Sequence, residues 1–523
     1  MLYFDNWQRR ISREPLYGLT NPRVLFGMIL AVAVCWRLLE YALRYPVFLD
    51  EASVGLNILG RGYEGLTKPL NNDQVAPLLF LWVEKWISQV FGYSLDALRL
   101  VPMLAGLTAA GLSYSVSRRF LARRAAVIAA GLVACSLTVV ELSDMLKSYS
   151  LDLLAASVAL LLVTSWKRSG YHSLWLLALA AFAPLSLGFS FPIIFVLVSV
   201  AAAVGLEIIR RRIWKQIVPA MVFYGAVAGS FLSDYVLVIH GQASFTHHTM
   251  QKVWSKAFPP HHAIALILWL LKGAGSTMMT YPFGGKGGIA YAVTALVIVG
   301  VWHFIRTHRY TELVLLAGPF AATFGAAWLH LYPFAGKARV EQHLVPSIAI
   351  LAAAGLMSLL ALISRAGRNL AVARGGPLVW SGLLIILAVV SMGIDTVHPY
   401  RWVGAQVARR EVRTVLRRAT AGSRIIFWSD GTGQSRELLW YLTVQRRVAW
   451  STVANPTWLA STGHGIWLLT ATQDPVRMEE LRHQFTAAHE HVEIIAGRKR
   501  RLRPGWPPGY CQIFHLVALP RPK

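Results

Sequence analysis

Apolar residues along this chain gather into runs separated by short basic or polar connectors. Eleven runs, at 24–44, 97–116, 125–142, 151–166, 174–188, 190–208, 217–239, 289–305, 312–331, 343–363 and 377–395, each hold about 16–23 residues, close to what a bilayer core requires. They predict an α-helical polytopic membrane protein of about 11 spans. The stretch PLLFLWVEKWISQVFG (77–92) carries Glu84 and Lys85 at its centre, where a charged pair is costly in lipid, so it is predicted to lie along the interface. Lys272 and two glycines give 263–280 the same reading. Beyond Asp395 the pattern shortens. SRIIFWSD (423–430), GIWLLTAT (465–472) and YCQIFHLVAL (510–519) read as buried strands, and QSRELLWYLTVQ (434–445) and PVRMEELRHQFTAAH (475–489) as helices. The alternation predicts a small C-terminal α/β domain.

The connectors fix sidedness. With 1–23 cytoplasmic and 77–92 not spanning, RRFLARR (118–124), KRSGYHS (167–173), RRRIWK (210–215), RTHR (306–309) and RAGRNLAVAR (365–374) all fall inside, as the positive-inside rule demands. A transmembrane domain over 24–395 then exposes outer loops 45–96, 141–150, 240–288 and 332–342, and the domain at 396–523 hangs outside. The 51 Lys and Arg exceed the 25 Asp and Glu by 26, and this charge is spread over the connectors. That distribution is topogenic and excludes a nucleic-acid surface. The first run reads as an uncleaved signal anchor. Cys35, Cys135 and Cys511 make no disulfide framework and no CxxC metal site.

The chemistry-bearing residues lie in the outer loops. Asp50 and Glu51 stand side by side just past the first run, where a carboxylate near lipid must be hydrated, paired or functional. A partly desolvated carboxylate there can act as a general base. Asn71, Asn72 and Gln74 follow as hydrogen-bonding groups. In ELSDMLKSYSLD (141–152) a continued helix would put Glu141, Asp144 and Lys147 on one face and Ser148 and Asp152 on another, either as a capped hairpin or as a site setting Lys147 against a phosphate. In YPFAGKARVE (332–341), Lys337 and Arg339 sit outside against the charge rule, which suits a specific anion or interfacial snorkelling. His247, His248, His261 and His262 match no closed zinc pattern, and GGKGG (284–288) and GTG (431–433) lack the rest of a P-loop. No metal motif is present, and a divalent cation has no residue pattern behind it. YPFGGK (281–286) echoes YPFAGK (332–337) without a longer repeat.

Three segments resemble GT-C glycosyltransferases, the group that includes protein O-mannosyltransferases and bacterial lipid A aminoarabinose transferases. The carriers are Asp50–Glu51 with Pro77, Phe91–Gly92, Arg99–Leu100 and Pro102; then LKSYSLD with Lys147, Tyr149, Ser150 and Asp152; then YPFAGKARVEQHLVP with Lys337, Arg339 and Pro346. One departure is Met145, where the family often has an acid, with Asp144 beside it. The resemblance covers about 24–395 and implies a polyprenyl-phosphate-linked sugar donor and a lipid, glycan or protein acceptor. It further implies a single inverting displacement in which Asp50 is the base, Glu51 a supporting acid, and Lys147 with Lys337 or Arg339 holds the departing phosphate. Asp144, Tyr149, Asp152 and Gln74 complete the expected site. The expected setting is a bacterial inner membrane, with the site and the C-terminal domain extracytoplasmic. A secondary transporter or lipid flippase is the alternative, for which Arg37 and Glu40 late in the first run would form part of a polar path. A scaffold presenting the C-terminal domain is a third reading. The acids at the outer rim favour the transferase.

Overall fold

A computed structural model describes residues 21–242, 254–281, 288–366 and 370–397, and, beyond them, 403–418, 424–429, 435–444, 450–452, 466–472, 476–477, 479–481, 483, 492–496 and 510–516. In chain order the helices are α1 (Pro22–Leu43), α2 (Leu49–Gly60), α3 (Leu78–Phe91), α4 (Leu95–Phe120), α5 (Arg123–Ala134), α6 (Leu137–Ser143), α7 (Tyr149–Arg168), α8 (Leu174–Phe189), α9 (Ile193–Arg211), α10 (Ile217–Asp234), α11 (Ala263–Ala274), α12 (Gly288–Arg306), α13 (Tyr310–Trp328), α14 (Val345–Ala366), α15 (Leu370–Val397), α16 (Val403–Arg418) and α17 (Ser435–Val444). All eleven apolar runs are helical. Among the described residues nine helices are long and apolar enough to cross a membrane, and α5 with α6, bent by 51°, makes a tenth. The run at 174–188 became α8, which at 16 residues falls among the shorter apolar helices.

The chain divides into two compact units, Met1–Leu43 with Gly62–Ile87 and Leu98–Val397, and Arg44–Arg61 with Ser88–Ala97 and His398–Lys523. In the first unit α12 and α14 approach so closely that a Cβ on Gly300 would meet the Leu351 carbonyl and one on Gly355 the Leu296 carbonyl. Lipid supplies no hydrophobic drive between helices, so association rests on such small-residue approach and on polar ties. One tie is at Glu207 in α9, which takes hydrogen bonds from Tyr171 (2.7 Å) and Thr311 (2.5 Å) and faces Lys167 at 3.6 Å. Lys167 also reaches Glu312 at 3.2 Å. These partners sit in or beside connectors predicted to be cytoplasmic, so part of that basic charge clamps helix ends.

Helix α3, expected along the interface, buries both of its central charges: Glu84 is 0% and Lys85 6% exposed, whereas Trp86, Val90 and Phe91 face outward. Neither Glu84 oxygen has a hydrogen-bond partner among the described residues, and burial pushes that carboxyl well above its ordinary range. At 14 residues α3 is short for a span, so length rather than hydration of the charges sets it apart. Arg37 and Glu40, late in α1, are both buried. Arg37 is 1% exposed and donates to the Ala33 and Ala134 carbonyls (3.1 and 2.7 Å), the second lying where α5 breaks from α6. Glu40 accepts from Trp36 Nε1 (3.3 Å), which also donates to Asp395 (3.1 Å).

In the second unit a five-stranded sheet runs β2-β1-β3-β5-β4, with β1 (Arg424–Ser429) parallel to β2 (Trp450–Thr452) and β3 (Ile466–Thr472). Strand β5 (Tyr510–Leu516) lies antiparallel to β3 and β4 (Val492–Ala496). The three predicted strands are present; the helix expected at 475–489 falls mostly outside the described residues. Helix α16 buries Ala408, Val412 and Val415 with Ile425, Phe427, Trp467, Leu469 and the α17 residues Leu438 and Leu442. Helix α2 joins this unit through α17. Gly55 lies against the Trp440 indole, which a Cβ would overlap, and Tyr441 takes a hydrogen bond from the Val47 amide at 2.9 Å.

Candidate functional site

Asp50 and Glu51 are not in a loop; they begin α2. Glu51 folds back to accept a hydrogen bond from the Phe48 amide at 3.0 Å, the reach-back half of a capping box, and is 1% exposed. Two acids in a first helical turn also suit the positive end of the helix dipole. Glu51 thus has a structural task. Asp50 lies half-buried beside it. Within the same unit Arg436 reaches Ser53 at 3.4 Å, and Glu437 of α17 titrates near 7, raised chiefly by burial, with Asp50 adding to the rise.

The other expected residues belong to the first unit. The turn that presents Gln74 is written in Asn71–Asn72–Asp73: Asn72 and Asp73 adopt left-handed backbone, with φ of 65° and 53°, a conformation these residue types tolerate better than most. Gln74 donates to the Asn72 carbonyl at 3.0 Å and accepts from Lys147 Nζ at 2.5 Å. Gln242 pins the next turn by exchanging bonds with Ala76 (3.2 and 3.4 Å). A residue of the 45–96 loop is therefore bonded to one of the 141–150 loop. Gln74 is 7% and Lys147 8% exposed, so this ammonium is largely desolvated against a neutral amide.

The second loop does not continue its helix. Helix α6 ends at Ser143, residues 144–147 turn tightly with the Lys147 amide on the Met145 carbonyl at 2.7 Å, and α7 starts at Tyr149. The expected shared face of Glu141, Asp144 and Lys147 does not form. The turn instead buries Met145 (7% exposed) and Leu146 (0%), which explains an apolar residue where an acid was expected. Asp144 forms a buried ion pair with Arg99 of α4 at 3.3 Å. Sequence reading named Arg99 as a carrier of the resemblance at the start of a span and gave it no role in the site.

The third loop closes on α7. Ala338 takes its position from Thr277 (3.0 Å), Gln342 bonds Ala338 and Tyr281 (2.7 and 3.4 Å), and His343 meets Thr323 at 2.9 Å. The Tyr332 hydroxyl donates to Val340 at 2.5 Å, and its ring packs with Phe195 and His343. Burial first, then the neighbouring Asp152, Glu341 and Tyr149, hold that phenol well above its ordinary range. Glu341 is 0% exposed and accepts from the Ala335 amide, and burial raises its carboxyl to about 8. Asp152 Oδ1, Glu341 Oε2 and His343 Nδ1 are buried without hydrogen-bond partners among the described residues. Tyr332 and Glu341 stand in the quoted 332–341 segment and His343 just beyond it, but sequence reading gave roles only to the cations Lys337 and Arg339. Lys337 and Arg339 stack over Trp254, at 5.1 and 5.7 Å from its ring centre, and Lys337 is exposed. His261 packs edge-on against Trp328. His247, His248 and the glycine run 431–433 lie outside the described residues, as does most of the run at 284–288, and no cluster of metal-ligating side chains occurs among the described residues.

The family model described as dolichyl-phosphate-mannose-protein mannosyltransferase matches residues 75–233, a stretch containing Gln74's neighbours, Arg99, Asp144, Lys147 and Asp152. Two crystal structures of ArnT from Cupriavidus metallidurans are similar to the chain. The one bound to undecaprenyl phosphate is 14% identical with a TM-score of 0.55, over 93% of this chain and 97% of that one. The apo form is 13% identical with a TM-score of 0.54 over the same shares. The Archaeoglobus fulgidus oligosaccharyltransferase in its apo form gives 12% identity and a TM-score of 0.42, over 92% of this chain and 73% of that one. No curated protein matches the sequence.

Proposed function

We propose, from the premise that this membrane protein has the GT-C fold, that it moves a sugar from a polyprenyl-phosphate donor to an acceptor hydroxyl at the outer face of the membrane. The observation that carries the reading is Lys147, a desolvated cation in the LKSYSLD motif, held by Gln74. A glycosyl phosphate bears its own leaving group, so transfer needs two things: removal of the acceptor proton and neutralisation of charge on the departing phosphate. The acceptor oxygen attacks the anomeric carbon as the bond from that carbon to phosphate oxygen breaks, and the anomeric centre inverts. Asp50 takes the acceptor proton, Glu51 fixes the helix that presents it, and Lys147 with Lys337 or Arg339 receives the phosphate. Asp144 works through Arg99, while Tyr149 and Asp152 face the Tyr332 and Glu341 side of the loop cluster and offer polar groups to the donor.

The assignment of Asp50 rests on its place in the Asp50–Glu51 motif. The ArnT structure supports the donor class, since that protein is seen with undecaprenyl phosphate. The outer-face assignment, a bacterial inner membrane and an extracytoplasmic domain at 396–523 rest on connector charge, and the acceptor is a lipid, glycan or protein. The test is incubation of purified protein with labelled polyprenyl-phosphate sugars and membrane extract. A labelled acceptor product from the wild type, absent with Asp50→Asn of equal expression, is expected. No product, or normal turnover by the variant, overturns the reading or the base.

A further inference from the structure

Helix α16 has two unlike faces. Ala408, Val412 and Val415, at i, i+4 and i+7, are buried in the core of the second unit. Arg410, Arg413 and Arg417, at i, i+3 and i+7, form a separate row, all three exposed, and Arg418 extends it at the helix end. Arg409 is not part of the row, because it donates to the Arg44 carbonyl at 2.9 Å. Glu411 is the one acid in the sequence of the helix, and no carboxylate pairs with Arg410, Arg413 or Arg417 among the described residues. Like charges at these spacings repel. Only the last turn, with Arg417 and Arg418, gains from the negative end of the helix dipole, so Arg410 and Arg413 need another counter-charge.

The chain supplies a neighbour. Val403 follows Val397, the end of the apolar helix α15, by five intervening residues, which span at most about 20 Å. That length bounds how far the start of α16 can stand from the end of α15, whatever the arrangement of the two units. The row's guanidinium groups suit phosphate, which they bind in a planar two-point fork. We propose that the Arg410–Arg413–Arg417 row is a docking surface for the phosphates of anionic phospholipids. This goes beyond the transferase reading and holds whichever acceptor is used, on either side of the membrane, since it depends only on the helix and the lipid.

The test compares the full-length protein in nanodiscs of phosphatidylcholine alone and of phosphatidylcholine with phosphatidylglycerol, by amide hydrogen exchange over 403–418. Exchange is expected to be slower with phosphatidylglycerol, by roughly fivefold for each engaged arginine, and the difference to shrink at high salt. The R410Q/R413Q/R417Q variant should lose the lipid dependence. The triple lysine variant, which keeps the charge and loses the fork, should retain part of it. Equal exchange of the wild type in both discs overturns the proposal without any variant. Equal protection by inorganic phosphate in phosphatidylcholine discs also overturns it, since the row would then bind anions with no preference for a bilayer. Transfer activity enters neither outcome.

Discussion

Glu341 provides the most quantitative test of the loop cluster. Its carboxyl titrates at about 8 in the folded chain against an ordinary 4.5, with burial as the cause. The folded state therefore holds a proton that the unfolded state has released throughout the interval from pH 4.5 to 8. Folded protein binds more protons than unfolded there, so stability falls as pH rises, at about 1.4 kcal/mol per pH unit, and levels off above 8. The ceiling on the loss is roughly 5 kcal/mol. Glu341→Gln keeps an acceptor for the Ala335 amide and cannot ionise, so it removes this slope. Apparent Tm measured from pH 5 to 9 in detergent should fall for the wild type relative to the variant across that interval, with the two curves parallel above it. Taking the difference cancels Glu437 and the histidines. The same titration reaches function: below pH 8 Glu341 is a neutral acid and does not repel a lipid phosphate, whereas above pH 8 donor KM should rise in the wild type and not in the variant. A constant Tm difference from pH 5 to 9 would refute the argument.

Lys147→Met should lower transfer by about 10²-fold, the scale of losing one charge-stabilising group, while leaving the fold intact; a near-normal kcat would remove Lys147 from phosphate binding. Replacing Arg99 by Leu removes the ion pair of the buried Asp144 carboxylate and should cost about 3–5 kcal/mol, whereas Arg99→Leu with Asp144→Leu should cost less, as read from thermal unfolding of the two variants against the wild type. Gly55→Ala gains about 1 kcal/mol of helix propensity but drives a Cβ into Trp440, an overpacking worth about 1–3 kcal/mol. Net loss is expected in the proteolytic resistance of the C-terminal region, with partial rescue by Trp440→Leu.

The helical bundle was legible because each apolar run must satisfy its backbone internally once in lipid, and all eleven became helices. What periodicity does not carry is where a helix breaks. The run 125–142 reads as one helix, yet it breaks at Cys135–Ser136, where the Arg37 bond to the Ala134 carbonyl marks the bend. Burial of charge was equally hidden. The interfacial reading of α3 rests on the cost of an isolated carboxylate in lipid, but Glu84 is buried in protein, where its carboxyl is pushed up toward the neutral form. Among the residues proposed to act, charged groups in odd places, Asp50, Lys147 and Lys337, announced themselves. Tyr332 and His343 did not, since an aromatic residue in an apolar stretch looks like packing until Asp152 and Glu341 are seen beside it.

The Val47 amide bonds to Tyr441 across 394 positions of sequence. Synthesis at about 5–20 residues per second puts tens of seconds between the emergence of these two residues. Helix α2 and its acids are thus among the first elements made and among the last to acquire their packing partners. Every transmembrane segment can be inserted before Asp50 has its finished surroundings. The chain is built so that its proposed base is completed by its own final quarter, and a product of premature termination would carry the motif without the setting that shapes it.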